Sequence, residues 1–276
     1  MVSQPVNKRK LWISDKNIRG VRQIGTRPFK LEKYMFGIKK KQKAKQSVAV
    51  DERLQHIAFI MDGNGRWAKK RGMPREFGHK KGAETMKNVV RYCGSLGINC
   101  VTVYAFSTEN WKRPKNEVDA IMALLNEYID YLYTVMQEDD IQIHFIGDKS
   151  RFAPELKARL EKAEKDSENN KRILNVALNY GGRDEIVHAV NMLVKQGKQE
   201  ITEQDISSSL YTAHCPEPDL IVRTAGEIRT SNFLMWQGAY SELYFTDVLW
   251  PDFSESDVDK AVEEYYRRTR RFGAVV

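Results

Sequence analysis

The chain has 276 residues, with 45 Lys or Arg against 37 Asp or Glu, enough length for one large α/β domain or two small ones and for a full apolar core. Its three cysteines, Cys93, Cys100 and Cys215, are odd in number and lack C-x-x-C spacing, which argues against a disulfide framework and a zinc site. No apolar run reaches the length of a membrane span or of a signal peptide, so the expected location is the cytoplasm.

Charge is concentrated at the amino end. Residues 1–50 carry 14 basic and 2 acidic residues, a balance of +12, which leaves −4 for residues 51–276. Nucleic-acid binding would need that charge on a folded face, and no nucleic-acid partner is expected. The segment has little apolar periodicity and reads as a basic, disordered tail, with the folded domain over 51–276. An anionic membrane surface would attract such a tail by about 1 kcal/mol per basic residue near it.

The first folded stretch is IAFIMDGNGRWAKKRGMPREFGHKKG, residues 57–82. An apolar strand ends in Asp62, followed by two glycines and a helix-compatible segment. Gly63 and Gly65 let the backbone approach a ligand closely, and Arg66, Arg75 and His79 follow at spacings that suit an oligophosphate. Asp62 is placed to hold a divalent cation against that phosphate. The competing reading is a glycine turn with a solvated basic face. The stretch is neither G-x-G-x-x-G nor a Walker A loop, which disfavours nucleotide binding.

Further on, strands are expected at 56–61, 100–106, 141–146, 173–179, 219–223 and near 243–246. Helices are expected at 80–96, 116–138, 153–168, 183–196, 203–211 and 254–270. The alternation predicts an α/β single domain with a mostly parallel central sheet of about six strands flanked by helices. In such sheets ligands lie outside the carboxyl ends of the strands. Polar signals fall there: Asp62, the loop Ser107–Pro114, Asn179–Arg183 and Arg223. Helix 116–138 is apolar round much of its circumference, from Val118 to Met136, and about 35 Å long. It serves either as core or as the wall of an apolar tunnel, with Ala120 and Ala123 as candidate gates. Arg223, Arg229 and Ser231 form a second oxyanion cluster with Glu227 and Glu242 nearby, so two phosphate-bearing substrates are expected.

The blocks HIAFIMDGNGRWAKKRG, EFGHKKGAE, YAFSTENWKRP, IGDKSRF, NYGGRDEI, IVRTAGEIRTSNFLMWQGAYSELYF and VLWPDF, with a final RRFG, resemble the cis-prenyltransferases, most closely the bacterial undecaprenyl diphosphate synthases, over about residues 54–273. The D-D-x-x-D motif of the all-helical trans-prenyltransferases is absent. The resemblance implies condensation of isopentenyl diphosphate onto an allylic primer, farnesyl diphosphate, with Mg2+, to a long Z-polyprenyl diphosphate. Such a product is the precursor of the lipid carrier for cell-wall synthesis. It implies Asp62 as essential acid and metal ligand. Gly63, Asn64, Gly65, Arg66, Trp67, Arg75 and His79 would surround the allylic substrate, with Ser107, Thr108 and Glu109 at the same mouth. Asn110 matches the position assigned to proton acceptance, beside Trp111 and Arg113. Arg223, Arg229, Thr230 and Ser231 would hold isopentenyl diphosphate. Glu242 would complete the metal site, from across a homodimer that Arg271, Phe272 and Gly273 also bridge. Peripheral membrane contact would serve product release. Ile228 and Ala225 depart from the family pattern, the second with little expected effect. A short- or medium-chain synthase and a non-catalytic partner subunit are the rival readings; the second would lack Asp62 and much of the basic set.

Overall fold

The computed structural model describes residues 48–269, apart from the side chains of 130, 131 and 133–137. Six parallel strands form one sheet: β1 (His56–Ile60), β2 (Cys100–Ser107), β3 (Ile141–Ile146), β4 (Arg172–Tyr180), β5 (Leu220–Arg223) and β6 (Glu242–Phe245), in the order β3-β4-β2-β1-β5-β6. All six expected strands are present. Parallel strands are covered on both faces and therefore read as nearly continuous apolar runs. In β1 all five residues are buried.

Alternation along the strands sends Ile57, Phe59, Val101, Val103 and Val176 into the larger core. Ala58, Ile60, Ala177 and Ile221 point into a second core, closed by Tyr180, Phe233 and Leu234. The α-helices among the described residues are α1 (Asn64–Lys70), α2 (Arg75–Ser95), α3 (Lys115–Asp139), α4 (Pro154–Asp166), α5 (Gly182–Lys195), α6 (Glu203–Ser209) and α7 (Glu255–Arg267). Helix α2 begins five residues before the expected start. Pro74 precedes its first residue with φ −55°, the pre-set angle for helix entry, and this puts Arg75 and His79 one turn apart on one helix. Helices α1 and α2 touch through glycine: a Cβ on Gly78 would lie 2.0 Å from the Asn64 carbonyl oxygen.

Residues 1–47 and the terminal Arg271, Phe272 and Gly273 lie outside the described residues, as do the side chains of Val135 and Met136. Val48 and Val50, expected in the tail, pack against the larger core. Among the described residues no helix is long and apolar enough to cross a membrane.

The chain runs from β1 out to β2 and the far edge, then returns through β4 to β5 and β6. The reversal lies between β1 and β5, the position where open α/β sheets form their ligand crevice. The register pairs Ile60 with Arg223 at the carboxyl ends of these two strands. Two irregularities between β2 and β4 leave Ala105 and Asn179 without partners and turn Ser107 toward the same end.

Candidate active site

Asp62 stands two residues beyond β1. Thr224 fixes its backbone by accepting the Asp62 N–H at 3.0 Å and donating to the Asp62 carbonyl at 2.7 Å. Its carboxylate lies between two guanidinium groups, Arg223 Nη2 at 3.0 Å from Oδ2 and Arg66 Nη2 at 3.2 Å from Oδ1. Arg223 is only 5 % exposed. Its Nη1 donates to the Arg229 carbonyl at 2.6 Å and to Ser231 Oγ at 2.7 Å, while its buried Nε has no hydrogen-bond partner among the described residues. A buried guanidinium left one bond short is strongly electropositive and suited to an incoming oxyanion.

Arg66 also donates to the Ala225 carbonyl at 2.9 Å and reaches Glu227 at 3.3 Å. Glu227 in turn accepts from Arg229 at 2.5 Å. Asp62, Arg66, Arg223, Glu227 and Arg229 thus make one alternating charge network across the crevice. The loop holding its far side is strained. Ala225, Ser231, Asn232 and Leu234 all have positive φ, at 72°, 52°, 63° and 43°. Such angles cost of order 1–3 kcal/mol each in non-glycine residues and cluster at functional sites. The Ala225 substitution therefore weighs more than its sequence suggested, since glycine would adopt this angle without strain. Gly63 has φ 105°, and a Cβ there would come within 2.9 Å of Leu249, so glycine is required. Helix α1 has seven residues and no side-chain cap, so the guanidinium groups rather than a helix dipole dominate the field.

On the opposite wall, Glu117 of α3 anchors two further cations, Arg75 at 2.7 Å and Arg113 at 2.9 Å. His79 faces them. Burial and then the neighbouring Arg113 hold its imidazole below the usual range, so it is neutral at pH 7. Asn110 Oδ1 accepts the Ser107 N–H at 3.1 Å and closes a capping box over a short 3-10 turn. A neutral amide engaged in this way positions the loop. Burial would raise the Glu109 carboxyl, but its own backbone N–H and the Asn232 amide, at 3.0 Å, hold it below the usual carboxylate range.

Asp62, Asn64, His79, Ser107, Glu109, Asn110, Arg113, Arg223, Arg229 and Ser231 line one cavity of about 600 Å³. Below it lies a smaller apolar cavity of about 110 Å³, sharing Met61, His79, Phe106 and Ile121 and continuing to Met86, Leu125, Tyr128 and Leu132.

Other expected site residues point elsewhere. Trp67 Nε1 donates to Asp252 at 2.7 Å under the stacked Arg71 guanidinium. Trp111 Nε1 donates to Asn179 Oδ1 at 2.7 Å and packs against Phe106. Thr108 donates to Asp184 at 3.1 Å, and Thr230 contacts the Met235 sulfur. Gly65 lies against the Arg75 side chain, where a Cβ would be 2.7 Å from Nε. Glu242 sits at the amino end of β6, paired in register with Leu220 and bound by Arg268 at 2.7 Å. Ile57 of β1 shares that level, so the carboxyl end of β1 is already about 10 Å further along the strands of the same chain, with Asp62 beyond it. Within one chain Glu242 and Asp62 do not meet.

Sequence reasoning missed Thr224, Glu117 and Asn232 as site-builders. The spacing of Glu117 four residues after Arg113, within reach on adjoining turns, was the available signal for one of them.

A family model described as "Putative undecaprenyl diphosphate synthase" matches residues 60–273. An isoprenyl transferase of Fusobacterium nucleatum is 53% identical over 222 residues, covering 80% of this chain and 96% of that protein. One from Streptococcus pneumoniae is 49% identical over 252 residues, covering 87% and 100%. Among solved structures, lavandulyl diphosphate synthase from Lavandula x intermedia, in complex with dimethylallyl diphosphate, superposes with a TM-score of 0.77 at 36% identity, covering 81% of this chain and all of that one. A probable undecaprenyl diphosphate synthase from Campylobacter jejuni gives 0.70 at 31%, covering 80% and 99%. The strand order, the arginine-lined crevice at the switch point and these matches agree: the chain belongs to the undecaprenyl diphosphate synthase family of cis-prenyltransferases.

Proposed function

We propose that the protein adds isopentenyl diphosphate units to farnesyl diphosphate and releases a long Z-polyprenyl diphosphate of undecaprenyl length. The observation that carries this reading is the pairing of a polar cavity, holding Asp62 between Arg66 and Arg223, with an apolar cavity directly beneath it. Two diphosphates need cations, and a growing hydrocarbon needs an apolar wall that keeps water from the reacting carbons.

Arg66, with Arg75 and His79 on the adjoining wall, holds the allylic diphosphate. Arg223, Arg229 and Ser231 hold isopentenyl diphosphate. The guanidinium groups stabilise negative charge growing on the leaving diphosphate, the alkene attacks the allylic carbon, and loss of a proton sets the new Z double bond. Asn110 keeps the 107–113 loop in place. Asp62 offers hard oxygen donors beside room for phosphate oxygens, the donor set magnesium prefers, and the ion supplies charge neutralisation on the diphosphate when bound. For Glu242 to join that site it would have to come from a second copy of the chain, in the homodimer that the family resemblance implies. A product with a long apolar tail and a tail segment of balance +12 support peripheral contact with the cytoplasmic face of a membrane.

The second reading, a short-chain synthase, draws on the lavender structure's dimethylallyl diphosphate complex. Incubation with labelled isopentenyl diphosphate, farnesyl diphosphate and Mg2+, followed by mass analysis, separates the two. Undecaprenyl-length product is expected, and arrest after one or two additions favours the rival. Asp62→Asn, chosen because Asp62→Ala strands the buried Arg223 charge, should lower kcat more than about tenfold, equivalent to ~1.4 kcal/mol. A smaller loss removes Asp62 from the reaction.

A further inference from the structure

At the amino ends of the strands, opposite the crevice, two of the three cysteines meet. Cys100 opens β2 and is buried, and Cys215 lies half-buried in the turn that leads from α6 to β5. Their sulfurs and a ring nitrogen of His56 all lie within 4.8 Å of one another. The Asn175 amide donates to the Cys215 sulfur at 3.3 Å, and the Cys215 thiol has the Thr212 carbonyl as acceptor at 3.4 Å.

This trio invites a metal, but the imidazole is already committed. His56 Nδ1 lies 2.7 Å from the Pro216 carbonyl and Nε2 lies 2.7 Å from Thr102 Oγ1. A metal ion would have to sit about 2 Å from Nε2 on its lone-pair side, space that the Thr102 hydroxyl occupies. With the nitrogen taken, the two sulfurs remain as a pair able to react with each other.

We propose that Cys100 and Cys215 form an oxidisable dithiol, a modification site whose substrate is a hydroperoxide and whose product is an intrachain disulfide. The Cys215 thiolate attacks one oxygen of the hydroperoxide, the O–O bond breaks, and a sulfenic acid forms as hydroxide or alkoxide leaves. The Cys100 thiol attacks that sulfur, the S–O bond breaks, and water leaves with the Cys100 proton. Two thiols are oxidised and one peroxide bond is reduced. The roles follow from the surroundings. Contact with Cys215 and burial hold the Cys100 thiol well above the usual range, whereas the Cys100 and Asn175 contacts hold Cys215 below it. Cys215 is also the less buried of the two residues. Cys93, fully buried and pushed up to about 12 by burial, is the internal control.

The test is mass mapping of the full-length protein after hydrogen peroxide treatment, with free thiols alkylated before digestion. The expected product is a Cys100–Cys215 cross-linked peptide, lighter by two hydrogen atoms than the dithiol and split by dithiothreitol. Cys215 should be consumed about tenfold or more faster than Cys93. In Cys100→Ser, Cys215 should instead accumulate sulfinic and sulfonic acid. Over-oxidation of Cys215 without a cross-link in the unmodified sequence overturns the proposal. So does stoichiometric zinc in the purified protein that blocks oxidation until chelated. The first of these readouts needs no variant to fold.

Discussion

Arg223 and Arg229 look equivalent in the sequence and differ in physical situation. Arg223 is 5 % exposed, pinned by Asp62, Ser231 and a carbonyl, whereas the Arg229 side chain is 58% exposed and bound only to Glu227 through its guanidinium. Arg223→Ala should lower stability by about 3 kcal/mol, because it leaves the 225–234 loop without its tie and Asp62 with one partner fewer. Arg229→Ala should shift the melting temperature by no more than about 2–4 °C, as exposed pairs contribute at most about 1 kcal/mol. Its effect belongs in KM for isopentenyl diphosphate; an equal rise in the allylic KM would show that one cluster serves both substrates. His56 gives the pH dependence. Burial lowers its pKa to about 4 from 6.5, so the folded state holds the neutral ring while the unfolded chain binds a proton. The stability it contributes is complete above pH 6.5 and is lost as pH falls from 6.5 toward 4, on the order of 3 kcal/mol in all. Chemical denaturation at pH 7 and pH 4.5 should show that slope, and His56→Gln should remove the share of His56 while leaving that of His214, which burial likewise lowers to about 4.

At the scale of elements, α3 corrects an expectation. Its apolar circumference hid two different faces. Ile121, Met122, Leu125, Tyr128 and Leu132 face the apolar cavity, while Ala120 and Ala123 line an adjoining cleft with Phe77 and Glu127 that shares His79, Ile121 and Leu124 with the cavity. The two alanines therefore line the adjoining cleft and not the apolar cavity beneath the crevice. Leu125→Trp should shorten the product with the first condensation largely kept, and Ala123→Leu should leave product length unchanged. Shortening by Ala123→Leu, with Leu125→Trp only destabilised by about 1–3 kcal/mol, would move the hydrocarbon to the adjoining cleft. Six strands were legible because each is a short apolar run closed by a polar loop, and the crevice residues were legible because they follow those runs. Helix α2 starts earlier than expected because Pro74, with its pre-set φ, serves as its entrance. Which side of a nearly all-apolar helix faces a cavity is decided by neighbours distant in sequence. So are the ties of Thr224 to Asp62 and of Asn179 to Trp111.

For the whole molecule, the change of charge near residue 50 falls close to where the described residues begin. The basic segment precedes a domain of balance −4, and packing against the core is already under way at Val48. Removal of residues 1–47 should leave the melting temperature and turnover in detergent unchanged and reduce binding to anionic vesicles; loss of detergent turnover would put part of that segment in the active site. Within the acidic domain, the cations of the crevice are not bare. Asp62 occupies Arg66 and Arg223, Glu227 occupies Arg66 and Arg229, and Glu117 occupies Arg75 and Arg113. Admission of a diphosphate is accordingly an ion exchange, in which phosphate oxygens take over guanidinium bonds that carboxylates held. The released carboxylates then stand beside the new anion, where their repulsion is relieved only by a cation. Three carboxylates against five guanidinium groups leave the crevice net positive and ready for an anion, and it becomes a strong cation trap only once substrate has entered.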